Sequence, residues 1–187
     1  MRMLLIVGIL LTTSKLGAQD EYATDRGYIG FFSKAPISDV DASNDNAKFV
    51  LDRSTGGLEV NASMADFRFK NKKMGRDAEK SYLEAVKYPA AGFKGKISGD
   101  IDYKRPGTYP ATAVGKLTIH GVTKNIKEEG TVVVTKGSVT LKSEFFVRLK
   151  DFNIERPTIL GREMTEDKVL VKIDATLVER SNVARKK

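Results

Sequence analysis

The chain's single histidine, His120, stands in the stretch GKLTIHGVTK, residues 115–124. An imidazole is the side chain best suited to moving a proton near neutral pH, so chemistry is sought there first. Hydrolysis would need a hydroxyl nucleophile beside it and an acid to orient the ring. The chain has no Gly-x-Ser-x-Gly elbow, and its hydroxyls and carboxylates surround His120 in ordinary numbers. The simpler expectation is a bend in a strand, with Gly121 supplying permissive backbone angles and the imidazole bonding nearby backbone. Two carboxylate groupings come next. DASNDNAKFVLD places Asp41, Ser43, Asp45 and Asp52 at positions one, three, five and twelve of a calcium-loop pattern. Asn46 stands where such a loop takes Gly, and KFVLD reads as a strand rather than a helix, so a solvated acidic loop is expected. Asp100 and Asp102 sit two apart, on one face of a strand, but in SGDIDYK they have Gly and polar neighbours rather than the dry pocket that acid–base work needs. One His and no Cys leave none of the usual zinc or copper ligand sets. Neither a metal nor a cofactor is expected, and no catalytic residue is assigned.

The elements that would position these residues are strands. SVTLKSEFFVRL alternates Val139, Leu141, Phe145, Val147 and Leu149 with Thr140, Lys142, Glu144, Phe146 and Arg148. KVLVKIDATLV places Val169, Val171, Ile173, Ala175 and Leu177 on one face. Period-two alternation sets one face against an apolar interior and the other against water. Further strands are expected at YIGFFSK, KFVLD, LEVNASM, AGFKGKIS, ATAVGKLTI and KEEGTVVVT. Between them, DRSTGG and TKGS read as hairpin turns, and RPGTYP as a breaker-rich loop. One helix is expected at RDAEKSYLEAV, stopped by Pro89. About eight mostly antiparallel strands and one short helix make an all-β chain. Eight strands close into a barrel with room for side chains or one small ligand, and closure removes sticky edges. A β-sandwich is the competing arrangement.

The ends differ from the middle. MRMLLIVGILLTTSKLGAQ has a positive start at Arg2, an apolar run from Leu4 to Leu11, and small residues at Gly17 and Ala18. That run suits a secretory leader and falls well short of the roughly 20 residues of a membrane span. Residues 1–19 are therefore expected as a cleaved signal peptide, cut after Ala18 or Gln19, 20–180 as one domain, and 181–187 as a basic, disordered tail. Losing Arg2 and Lys15 with no acid lowers the formal charge from +8 to +6. The excess is spread along the chain. Phe67-Arg68-Phe69-Lys70 is the one stretch where cations and aromatics interleave, and alternation turns its two Phe inward. No nucleic-acid partner is expected.

Alternation also names the candidate lumen residues. Phe31, Phe67, Phe69, Phe93, Ile97, Phe145, Val147, Val171 and Ile173 lie on inward faces, and Tyr82 and Tyr88 approach from the helix side. For most of them plain core packing competes with ligand contact.

Several segments resemble one family in order. GKLTIHGVTK is similar to the signature segment of the YceI-like family, exported lipocalin-like proteins that bind polyisoprenoid or other lipids. GYIGFFSKAPISDVDASN resembles the opening strand and loop of one branch. ADFRFKNKKMGRDAEKSYLEAVKYPAAGFKGKI resembles the central helix, Tyr-Pro and strand, and DFNIERPTILG a late strand and loop. Where relatives often carry a His-Phe pair after Met74, this chain has Arg76, Asp77 and Ala78, in the region that borders the ligand in the family. The resemblance implies a lipocalin-like barrel of about eight strands capped by one helix, with an apolar lumen and no catalytic machinery. It implies an apolar ligand, isoprenoid or quinone-like, in a periplasmic or secreted protein, and leaves room for transient membrane-surface contact and for a homodimer. Two other functions stay open at this point: a small envelope hydrolase using His120, and a structural or stress-related envelope protein whose lumen is filled by its own side chains.

Overall fold

Each long alternating segment pairs with its sequence neighbour, and the last returns to the first. The structure, a computed structural model, describes residues 20–34, 39–77, 80, 82–156, 158–159, 162–163 and 167–180. Eight strands form the wall: β1 (Glu21–Ser33), β2 (Val40–Asp52), β3 (Gly57–Ser63), β4 (Ala90–Ser98), β5 (Gly107–Ile119), β6 (Val122–Thr135), β7 (Ser138–Arg148) and β8 (Lys168–Glu179). All neighbours are antiparallel, and β1 pairs with both β2 and β8, which closes an up-and-down barrel. The all-β, lipocalin-like expectation is met. The segments expected as a leader (1–19) and a basic tail (181–187) lie outside the described residues.

Inward and outward faces follow the alternation. On β8, Val169, Ala175 and Leu177 are buried while Lys172 and Asp174 are exposed. On the outer face, opposite charges stand directly across from one another: Glu59 and Lys94, Lys142 and Asp174, Glu144 and Lys172. Exposed pairs of this kind contribute little each and are screened by salt, but like charges at these positions would repel. One end of the barrel is packed solid. Tyr22, Leu51, Val134, Val139 and Leu177 are buried there, and Tyr22 stacks on Tyr103 at 6.5 Å.

Five local expectations need correction. DASNDNAKFVLD is strand throughout, not a solvated loop followed by a short strand. Its inward slots carry Ala42, Asn44, Ala47, Phe49 and Leu51, all nearly inaccessible, and the pairing with β1 slips where the pattern skips a residue between Asn44 and Ala47. Asn44 makes that irregularity stable: its amide donates to the Ser63 carbonyl at 3.0 Å and accepts from the Asn46 backbone N–H at 2.7 Å. A buried Asn looks like a surface residue until its partners are known.

RPGTYP is only partly loop, since Gly107–Pro110 begin β5. Pro110 pairs with Thr131 of β6, whereas pairing with β4 begins at Thr112, so its donorless nitrogen sits where that side needs no bond. Asp100 and Asp102 lie in the β4–β5 loop rather than on one strand face. There Asp102 accepts from the Lys104 backbone N–H at 2.9 Å.

The helix comes earlier than expected. α1 spans Lys72–Asp77, and by Leu83 the chain has left helical geometry. Glu84 adopts φ 43°, and its carbonyl accepts from the N–H groups of Lys87 and Tyr88 in a tight turn. Lys80 and Tyr82 keep helical geometry, and from Leu83 onward a tertiary contact of the Glu84 side chain, described below, overrides the helical propensity of LEAV. Finally, His120 does not bend a strand: His120 and Gly121 are the whole two-residue turn joining β5 to β6.

Candidate functional site: an apolar cavity within the barrel

The half of the barrel away from the packed end encloses a cavity of about 750 Å³. Small-molecule sites run from about 300 to 1,000 Å³, so the space suits one organic ligand. Its wall comes from inward slots of most strands, because every second side chain of a closed sheet must point into the lumen.

All nine residues named from alternation line it, Phe31, Phe67, Phe69, Phe93, Ile97, Phe145, Val147, Val171 and Ile173, and so does Tyr82 from the helix side. Phe31 is the centre of an aromatic group, with Phe67 at 5.3 Å and Phe69 edge-on at 5.5 Å between ring centroids. Register explains the grouping: Phe31 is paired with Val171 on one side and Ala42 on the other, and Ala42 with Phe69. α1 sits over this end. A side-chain carbon on its Gly75 would come within 2.9 Å of Phe69.

Tyr88 is placed elsewhere. Its ring packs tilted against His120, 4.2 Å between centroids, and does not line the cavity. His120 itself is a clamp between three segments. Its ring is buried, with 8% of the side chain exposed. One nitrogen meets the Phe152 carbonyl at 3.2 Å and the other a Glu84 carboxylate oxygen at 2.9 Å. Both partners are acceptors. A neutral imidazole has one N–H and serves only one of them, whereas an imidazolium donates to both. The backbone agrees with this fixed position: φ is 50° at His120 and 72° at Gly121, as a tight hairpin turn of the I′ kind requires. At Gly121 an added Cβ would also approach Tyr88 to 2.6 Å. Both ring nitrogens and one ring face are therefore engaged by Phe152, Glu84 and Tyr88, and His120 itself does not line the cavity. The bond to Phe152 is to backbone, as expected, but that carbonyl is 32 residues away in sequence, and the Glu84 partner was not legible there.

Sequence reasoning also missed part of the wall. Leu117, Ile119 and Ile126 of β5 and β6 line the cavity, and so does Glu128. The signal was present in NIKEEGTVVV, where Ile126, Glu128, Gly130, Val132 and Val134 hold the inward period. A charged residue in an inward slot masked it. Burial pushes the Glu128 carboxyl above its ordinary value. Among the described residues, no cluster of three or more His, Asp or Glu side chains is arranged to hold a metal ion.

An up-and-down barrel of eight antiparallel strands around an apolar chamber defines a lipocalin-like binding architecture. The chain belongs to the YceI-like domain family, whose model matches residues 22–177. Among solved structures it is similar to a polyisoprenoid-binding domain from Saccharophagus degradans implicated in plant cell wall breakdown, with TM-score 0.71 and 10% identity, covering 87% of this chain and 99% of that one. It is similar to BcnA of Burkholderia cenocepacia, with TM-score 0.66 and 19% identity over 81% of this chain and 96% of that one. The YCEI protein of Campylobacter jejuni gives TM-score 0.56 and 18% identity over 95% and 94%. At these identities the likeness concerns the fold. A comparison with proteins of curated function finds no match.

Proposed function

We propose that this protein is an exported, non-catalytic carrier that holds one elongated apolar molecule, isoprenoid or quinone-like, in the barrel lumen. The apolar cavity carries the reading: a structural protein filled by its own side chains would leave no such volume. The polyisoprenoid-binding description of the Saccharophagus degradans domain supports it. The engagement of His120 by Phe152, Glu84 and Tyr88 supports a positioning role for that residue over a catalytic one. The apolar run in residues 4–11 supports export to a periplasm or beyond, and intact protein from the native envelope is expected to begin at Gln19 or Asp20.

Such a carrier needs no chemistry. Burying a five-carbon isoprene unit gains about 4 kcal/mol against water. A bilayer offers nearly the same gain, because lipid tails are as apolar as Leu. Exchange between membrane and barrel is then close to balanced, and the ligand moves by mass action during brief contact with the membrane surface. Native mass spectrometry of gently purified protein tests the reading. A one-to-one adduct released by organic extraction is expected, and Val147→Trp should lose it while keeping the β-rich circular dichroism. Wild-type protein that neither carries nor takes up any apolar molecule overturns the carrier reading.

A further inference from the structure

The barrel wall has a seam. β6 and β7 pair only from Thr131 opposite Lys142 to Thr135 opposite Ser138. Beyond that, Val122–Gly130 of β6 pair with β5 alone, and Ser143–Arg148 of β7 with β8 alone. At the fork the Ser143 hydroxyl donates to the Glu129 carbonyl at 2.7 Å, and the two strands then part. Gly130 permits this branching, since a Cβ there would come within 2.5 Å of the Lys142 carbonyl. The cavity reaches the fork: its lining includes Glu129, Gly130, Thr131, Lys142 and Ser143. Lys142 belongs to the outer face, where it pairs with Asp174.

Glu128 stands at the inner edge of this seam. It is directly opposite Ala113 of β5, and Gly130 is directly opposite Ala111. These small neighbours leave space around the carboxyl group. Among the described residues Glu128 makes no hydrogen bond or ion pair. A half-buried carboxyl group without a partner, in a mostly apolar chamber, is costly to keep unless something else satisfies it. Four residues along the strand, roughly 14 Å away, Val132 already belongs to the packed floor. The aromatic group of Phe31, Phe67 and Phe69 lines the same cavity, on other strands of the wall.

We infer that Glu128 receives the polar end of the carried molecule, and that this end is a hydrogen-bond donor, a hydroxyl or an amine, rather than a phosphate. The apolar chain then runs from the seam toward the Phe31 group. A hydroxyl or ammonium donates to the carboxylate and satisfies it. A phosphate would bring negative charge against a carboxylate in a poorly solvated chamber, where repulsion is stronger than in water. The inference rests on the carrier reading and adds selection by end group.

The experiment uses four single-chain probes of equal length on the full protein: geranylgeraniol, geranylgeranylamine, geranylgeranyl phosphate and the parent hydrocarbon. Wild type is expected to bind the alcohol and the amine roughly tenfold or more tightly than the phosphate, the range a charge-assisted hydrogen bond supports. Glu128→Gln should weaken the amine by roughly tenfold, narrow the gap to the phosphate, and leave the hydrocarbon within about twofold of wild type. Equal wild-type affinity for phosphate and alcohol, or an unchanged amine affinity and an unchanged gap to the phosphate in Glu128→Gln, overturns the assignment while leaving the carrier reading intact. The wild-type ranking decides the matter even without the variant. Failure of every probe to bind, hydrocarbon included, overturns the carrier reading and the assignment with it.

Discussion

At the scale of single residues, the two informative positions are a histidine that is fully engaged and a glutamate that is not. His120 joins the β5–β6 turn to Glu84 and to the Phe152 carbonyl. Replacing it with Ala removes the ring that ties the turn to Glu84 and to Phe152, and a loss of about 1–3 kcal/mol in folding stability is expected from denaturant midpoints. Glu128 should behave in the opposite sense. Its folded-state carboxyl holds its proton more tightly than in the unfolded chain, because burial disfavours the charge. Ionisation therefore opposes folding. The penalty is absent below the ordinary carboxyl range, grows as pH rises through the raised folded value, and is complete above it. Glu128→Gln should accordingly melt higher than wild type at about pH 7 and match it at about pH 4. A variant that melts lower than wild type at neutral pH would show that the carboxylate has a stabilising partner.

At the scale of elements, alternation assigns opposite fates to adjacent residues of β8. Val171 lines the cavity, while Lys172 faces solvent and pairs with Glu144 at 3.0 Å. Val171→Asp should cost about 2–4 kcal/mol, since it sets a second unpartnered carboxylate inside the barrel. Lys172→Thr should stay within about 0.5 kcal/mol of wild type. Equal losses at both positions would contradict the register of this strand. The β5–β6 turn offers a second test. Gly121→Ala forces a Cβ into a left-handed turn position and against Tyr88, so a loss of about 1–3 kcal/mol is expected by thermal or chemical denaturation. Strand existence was legible throughout, because half-buried strands carry their period in the chain itself. Strand ends were less so. β2 begins before its apolar pattern does because Asn44 and Asn46 look solvated, and helical geometry stops before Leu83 because Glu84 answers to His120, 36 residues away.

At the scale of the whole molecule, the barrel divides into a packed end and a hollow end, and the hollow end governs stability in the presence of ligand. A molecule bound only by the folded state stabilises it by mass action, about 2.7 kcal/mol at a hundredfold excess over Kd. Adding a single-chain apolar ligand should therefore raise the melting midpoint of wild-type protein in proportion to the logarithm of its concentration. Val147→Trp, which fills the lumen from β7, should abolish that rise. A concentration-dependent rise that persists in the filled variant would place binding outside the lumen.

Composition, period and turn chemistry by themselves determined an all-β chain of about eight antiparallel strands, the inward faces of those strands, and nine of the residues that line the cavity. These are local properties, since a side chain's face is set by its place in a two-residue repeat. Tertiary structure alone decided the rest. Whether inward residues pack solid or leave a chamber depends on which of them meet across the barrel, so Leu177 is fully buried while Ile173, four residues earlier on the same face, borders empty space. The clamp around His120, the seam between β6 and β7 and the unpartnered Glu128 beside it all arise where segments distant in the chain meet or part, and no local period records those distances.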